Sequence, residues 1–264
     1  MSTNTASLLR PPAVTFDCWA TLLYETDRSL GPLARARRLG KVAGVDERHA
    51  ALALQRAWRH HSALWHRRVV FNARDMARMA LESLGVMLEP ARVDELVTEF
   101  EDVILNHEIC VVQGAGEALE QLARAGVRRA LICDTGFSPG RTIRCLLARA
   151  GLLELLEVCV FSDEVGVPKP HPRMFSSAFD ELGVPASRGV HVGDLRRSDI
   201  AGARAFGMGS VRMAAHHDDA DVDTSANAGV IDCLSAGCDP VCERPEADAV
   251  VTSYSELLAV LGYA

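Results

Sequence analysis

Lysine is almost missing from this chain of 264 residues. Lys41 and Lys169 are the only two among 28 basic residues, and the rest are arginines. Long apolar runs are missing too. None approaches the ~20 residues that a membrane-spanning helix needs. The opening stretch "MSTNTASLLRPPAV" lacks the basic and apolar regions of a signal peptide, so a cytoplasmic location is the default expectation. No excess of positive charge exists: the net charge is -7, which argues against nucleic acid as a partner. No internal repeat is visible, and no standard zinc spacing. Of the eight cysteines, Cys110, Cys133 and Cys159 lie inside apolar runs and read as small buried hydrophobes. Cys233, Cys238 and Cys242 form the one cluster, C-x4-C-x3-C, and no fourth ligand stands near it.

What remains is an ordinary globular composition, 48% hydrophobic and 24% charged, enough for a sizeable core. Residues 12–17 predict a first strand. Residues 28–107 then repeat apolar positions at three- and four-residue intervals, the period of helices. Beyond them strands and helices alternate. The strands are expected at 128–133, 156–161, 189–194, 209–213 and 248–251. The intervening helices are expected at 115–126, 139–150, 171–183, 198–207 and 253–262. Such alternation predicts an α/β fold with a parallel sheet. The domain boundaries follow: a core from 1–24 and 110–264, interrupted by a helical cap at 25–109. Residues 216–247 show no period and read as a long surface loop.

Polar residues close the predicted strands. Asp17 and Thr21 follow the first, and Cys133, Asp134 and Thr135 follow the second. Lys169 stands between two prolines after the third, while Asp194 ends the fourth and Asp199 lies five residues on. In a parallel sheet these ends share one edge, where ligands gather. Three carboxylates and one ammonium on that edge define a narrow chemistry. Carboxylate and carbonyl oxygens suit Mg²⁺. A carboxylate can attack phosphorus and become an aspartyl-phosphate. A lysine balances the charge that builds up. Backbone N–H groups at the loop-to-helix turns can hold an anion.

Four segments in order, "FDCWATLL", "ALICDTG", "SDEVGVPKPHPRMF" and "VHVGDLRRSDIAGARAFGM", resemble the motifs of the haloacid dehalogenase-like (HAD) superfamily. The resemblance spans nearly the whole chain. It implies a Rossmann-like core and a helical cap between motifs one and two. It implies Asp17 as nucleophile, Lys169 as the basic residue, and a Mg²⁺ site of Asp17, the Trp19 carbonyl and Asp194, with Asp199 as a further or water-mediated ligand. Cys133, Asp134 and Thr135 fall at the substrate-binding segment.

Two positions depart from that pattern. Family phosphatases carry a second Asp two residues after the nucleophile as proton carrier, and here that position is Trp19. An indole N–H donates a hydrogen bond but does not shuttle protons near neutral pH. Family dehalogenases carry an aromatic residue there, because a halide leaves without a proton. They also work without metal and have a Ser/Asn type of fourth motif, whereas "GDLRRSD" is the metal-binding form. The other departure is Cys133, where Ser or Thr is usual. The expectation is therefore a Mg²⁺-dependent phosphatase of a small anionic substrate. The rivals are a carbon–halogen hydrolase and a binding or regulatory protein with residual activity. Nothing suggests a membrane partner, and monomer or homodimer are both open.

The helical block is polarised. Residues 28–78 hold twelve Arg or Lys against three acids, and residues 79–109 hold one Arg against eight acids. A basic half facing the core would attract an anion. In "AWRHHSALWHRRVVF", Trp58, His61 and Trp65 share one helical face with Leu54. If that face overhangs Asp17, His60, His61 or His66 could move the proton that Trp19 cannot.

Overall fold

Residues 8–217 and 246–264 are described by the computed structural model. The chain begins with β1 (Ala13–Phe16) and β2 (Leu23–Glu25), then runs through four helices, α1 (Leu30–Ala43), α2 (Glu47–His66), α3 (Ala73–Ser83) and α4 (Pro90–Asp102). It returns through β3 (Ile109–Val111), α5 (Ala115–Arg124), β4 (Arg128–Cys133), α6 (Gly140–Arg149) and β5 (Val158–Phe161). A one-turn helix α7 (Ser162–Val165) and α8 (Pro172–Leu182) lead to β6 (Gly189–Gly193). A π-helical turn, Arg196–Ile200, runs directly into α9 (Ala201–Ala205), followed by β7 (Gly209–Met213). The last elements are β8 (Ala249–Val251) and α10 (Tyr254–Val260).

Six of the strands form one sheet in the order β5-β4-β1-β6-β7-β8, and every neighbouring pair is parallel. The α/β expectation holds. β1 and β6 are buried along their whole length, as strands covered on both faces must be. Side chains alternate between the two faces. Val14, Phe16, Leu131 and Cys133 face a cluster built with α5, α6 and α10. Ala13, Ala130 and Ile132 face the opposite cluster, built with α8 and Ala203 of α9.

The four helices between β2 and β3 have an apolar cluster of their own, rich in alanine, with Leu39, Leu54, Leu96 and Phe100 at its centre. Asp46 caps α2 by accepting from His49 N, and Asn72 and Asp75 form a capping box on α3. The chain leaves and re-enters the core through the antiparallel pair β2–β3, Tyr24 opposite Cys110. These strands are three residues each, too short to show a period in sequence. The expected surface loop of residues 216–247, with Cys233, Cys238 and Cys242, falls mostly outside the described residues.

Two glycines give opposite expectations for substitution. A Cβ on Gly189 at the start of β6 would lie 2.4 Å from the Phe179 ring, so Gly189→Ala lowers stability by about 1–3 kcal/mol. A Cβ on Gly116 in α5 meets nothing closer than 3.7 Å, so Gly116→Ala raises stability by about 0.4–1 kcal/mol. Urea unfolding of both variants measures the difference.

Candidate active site

From β1 the sheet grows outward to β4 and β5 on one side and to β6, β7 and β8 on the other. The carboxyl ends of β1 and β6 therefore flank the point where the strand order reverses, the usual crevice for a ligand in such sheets. Asp17 stands directly after β1 and Asp194 directly after β6. After Asp17 the chain turns tightly. Ala20 has a left-handed φ of 57°, and Leu22 N and Leu23 N both donate to the Cys18 carbonyl. Trp19 is half-buried in this turn against the core. Thr21 Oγ1 is buried without a hydrogen-bond partner among the described residues.

Lys169 crosses beneath this edge, 2% exposed. Its ammonium donates to Asp17 Oδ1 at 2.5 Å, Asp199 Oδ1 at 2.6 Å and the Ile132 carbonyl at 2.8 Å. That uses all three of its donors. Asp199 is equally committed. Oδ1 also meets His191 Nε2 at 3.1 Å, and Oδ2 accepts from Leu195 N at 3.0 Å. His191 is held in turn through Nδ1 by Thr15 Oγ1 at 2.8 Å. Gly193 makes room for this arrangement, because a Cβ there would lie 2.3 Å from Asp199 Cγ. Asp194 has a different partner, His217 Nδ1, at 2.8 Å from its Oδ2.

Asp17, Asp194 and Asp199 each offer an oxygen within 4.8 Å of the others. Three buried carboxylates thus face one ammonium. Burial pushes the Asp17 carboxyl well above its ordinary value, and Lys169 only partly offsets this. Asp194 is likewise pushed up by burial. Burial pushes Asp199 up as well, but Lys169 and His191 outweigh it and hold this carboxyl below its ordinary value. Burial depresses Lys169, yet Asp17, Asp199 and Asp134 outweigh it and raise the ammonium well above its usual range. The donor set fits a small hard cation: oxygens only, more negative charge than Lys169 balances, and two carboxyls that burial pushes toward protonation.

The segment after β4 places its three candidate residues in three different surroundings. Cys133, a substrate-binding candidate from the sequence, is fully buried on the sheet face opposite Ile132, so its thiol lies in the apolar core. A hydrogen bond with Cys18 and burial push that thiol well above its ordinary value. Asp134 occupies the rim instead. Its Oδ1 accepts from Lys169 N at 2.8 Å, its Oδ2 accepts from Trp65 Nε1 at 2.9 Å, and burial raises its pKa. Thr135 turns toward β5, with Oγ1 3.0 Å from Ser162 Oγ and accepting from Asp163 N. Asp134 thus has both oxygens occupied, and the Thr135 hydroxyl lies against Ser162 and Asp163 N. The N–H groups of Gly136 and Phe137, and those of Cys18 and Trp19, make no hydrogen bond among the described residues.

Helix α2 leans on the same rim. Trp58 stacks on Phe137 and on His61, with ring centroids 5.7 Å and 4.8 Å apart. Arg197, from the turn after β6, covers the Trp65 ring at 3.3 Å. Two ion pairs join the basic and acidic parts of the helical block, Arg38–Glu99 and Arg74–Asp94, and Arg37 pairs with Glu47 inside the basic part. His191 and His217 escape sequence reasoning. His191 sits mid-strand, where a core residue is expected. His217 opens an aperiodic stretch and carries no motif.

A family profile described as "haloacid dehalogenase-like hydrolase" matches residues 11–207. The phosphoglycolate phosphatase of Pectobacterium atrosepticum is 32% identical over 178 residues, covering 66% of this chain and 73% of that protein. The (S)-2-haloacid dehalogenase 1 of Pseudomonas sp. (strain CBS-3) is 29% identical over 203 residues, covering 76% and 83%. The solved structure of 2-haloacid dehalogenase from Pseudomonas syringae pv. Tomato DC3000 superposes with a TM-score of 0.63 at 22% identity, covering 95% of this chain and 97% of that one, a likeness of fold.

The shared ammonium predicts a pH-dependent cost. Lys169→Met strands buried carboxylates and lowers stability at pH 7 by about 3–5 kcal/mol. In the wild type, Asp199 is held below its ordinary value, so its contribution is present above that value and fades as pH falls through the depressed one. In the variant the unpaired carboxyls favour protonation, so acid relieves them. The stability gap therefore narrows from pH 7 toward pH 4, as urea unfolding across that range measures.

Proposed function

The chain belongs to the haloacid dehalogenase-like hydrolases, and from that premise we propose that it is a Mg²⁺-dependent phosphatase of a small phosphorylated compound. The observation that carries this reading is the set of three buried carboxylates around one lysine. Asp17 and Asp194, with the Trp19 carbonyl, hold the cation. Asp199, already saturated by Lys169, His191 and Leu195 N, acts on it from one step away. When bound, Mg²⁺ neutralises phosphoryl oxygens and leaves phosphorus open to attack by an anion.

The chain's own groups do the rest. Lys169 fixes Asp17 Oδ1, leaving Oδ2 to attack phosphorus. The bond from phosphorus to the leaving oxygen breaks, and the oxygen takes the electron pair. Backbone N–H groups of Cys18, Trp19, Gly136 and Phe137 receive the phosphoryl oxygens, because the Cys133, Asp134 and Thr135 side chains are engaged elsewhere. Water then attacks the aspartyl-phosphate, and the electron pair of the broken bond returns to Asp17. Helices α1–α4, between residues 25 and 109, serve as the cap over this edge. Trp19 cannot protonate a leaving oxygen, so compounds with a good leaving group are the preferred substrates.

Trp19 favours a second reading, carbon–halogen hydrolysis through an alkyl ester at Asp17. One panel separates the two. Purified protein releases phosphate from aryl and acyl phosphates in Mg²⁺, EDTA abolishes release, and Asp17→Asn falls to background. Halide release from 2-halo acids that persists in EDTA would overturn the phosphatase reading in favour of the dehalogenase.

A further inference from the structure

The phosphatase reading leaves a gap: a proton must be taken from the water that cleaves the aspartyl-phosphate at Asp17. We propose that His61 is the general base of that half-reaction, with Nε2 as the atom that accepts the proton. The proposal rests on the reading above that Asp17 becomes esterified.

The geometry selects His61 over His60 and His66 of α2. His60 is exposed and touches Phe71 edge-on at 5.0 Å. His66 ends the helix, tilted against Trp65. His61 is 8% exposed, and its Nδ1 lies 2.7 Å from the Phe71 carbonyl. A carbonyl only accepts, so Nδ1 carries the hydrogen and Nε2 of the neutral ring carries the lone pair. Burial lowers the pKa of His61, which favours that neutral form. Nε2 has no hydrogen-bond partner among the described residues. It lies beside the loop after β4: a Cβ on Gly136 would be 3.6 Å from it. The Trp58 stack fixes the ring plane.

This helix face is anchored to the site itself. Trp65 stands one turn beyond His61 on the same face and donates to Asp134. Asp134 accepts from the main chain of Lys169, whose ammonium holds Asp17. β1 and β4 are neighbours, so Asp17 and Gly136 follow adjacent strands at one edge of the sheet. Asp134 and His191 are spoken for. Both oxygens of Asp134 accept hydrogen bonds, and His191 is fully buried with both nitrogens engaged.

The step balances. The water oxygen bonds to phosphorus and its proton passes to His61 Nε2. The bond from phosphorus to the Asp17 oxygen breaks and its electron pair restores the carboxylate. The imidazolium then releases its proton to solvent. His61→Asn tests this, since the amide nitrogen can still donate to the Phe71 carbonyl while Nε2 is lost. With p-nitrophenyl phosphate and Mg²⁺, kcat falls about 10²–10⁴-fold. A burst of one nitrophenol per site precedes the slow phase, and ³²P-labelled protein accumulates after acid quench. Imidazole added to His61→Ala restores turnover. Wild-type turnover by His61→Asn, or a slow variant with neither burst nor label, overturns the role of His61 while leaving the phosphatase reading intact. No nitrophenol release by wild type above the Asp17→Asn blank overturns both.

Discussion

The ammonium of Lys169 holds this site together. It is one of two lysines in the chain and is buried, and its three donors bind two carboxylates and one strand carbonyl. Two carboxylates side by side in an apolar setting repel each other and lose hydration. A cation between them makes the arrangement tolerable. Asp199 has the richer set of donors and keeps its charge, whereas Asp17 shares Lys169 and is pushed toward protonation. That inequality suits the proposed chemistry. One carboxylate stays fixed as the anchor of the lysine, and the other stands ready to exchange a weakly compensated charge for a bond. Arginine could supply the charge, but its planar fork could not meet three acceptors as a compact ammonium does.

The fold was legible because the strands that matter are ordinary. Short β-rich stretches followed by Asp announced β1, β4 and β6, and parallel strands must place those ends on one edge. Asp17, Lys169, Asp194 and Asp199 come together for that reason. Cys133 ends β4 as expected, but the strand pattern alone does not say which face its side chain takes. Alternation across the sheet puts its thiol with Leu131 in the core and leaves Asp134 as the first residue on the rim. His191 and His217 were invisible for a related reason. Each acts by touching a distant residue, Asp199 and Asp194, and no local spacing encodes that. The pair β2–β3 was missed because three residues carry no period.

The charge polarity of the helices illustrates the opposite limit. Twelve basic residues against three acids suggested an anion-attracting face. In the fold, arginines of α1 and α3 pair with acids of α2 and α4. Such exposed pairs contribute little energy each. The contact that matters to the site is made by neutral aromatic groups instead, with Trp58 and Trp65 tying α2 to the rim.

The proposed function divides labour among three aspartates: Asp17 and Asp194 on the cation, Asp199 on Lys169. A crystal structure of the protein with Mg²⁺ and beryllofluoride examines it directly. The expected result is beryllium bonded to Asp17 Oδ2, Mg²⁺ at about 2.0–2.1 Å from oxygens of Asp17 and Asp194, and Lys169 still on Asp199. A cation bonded directly to Asp199 with Lys169 displaced, or a site that takes neither ligand, would contradict it.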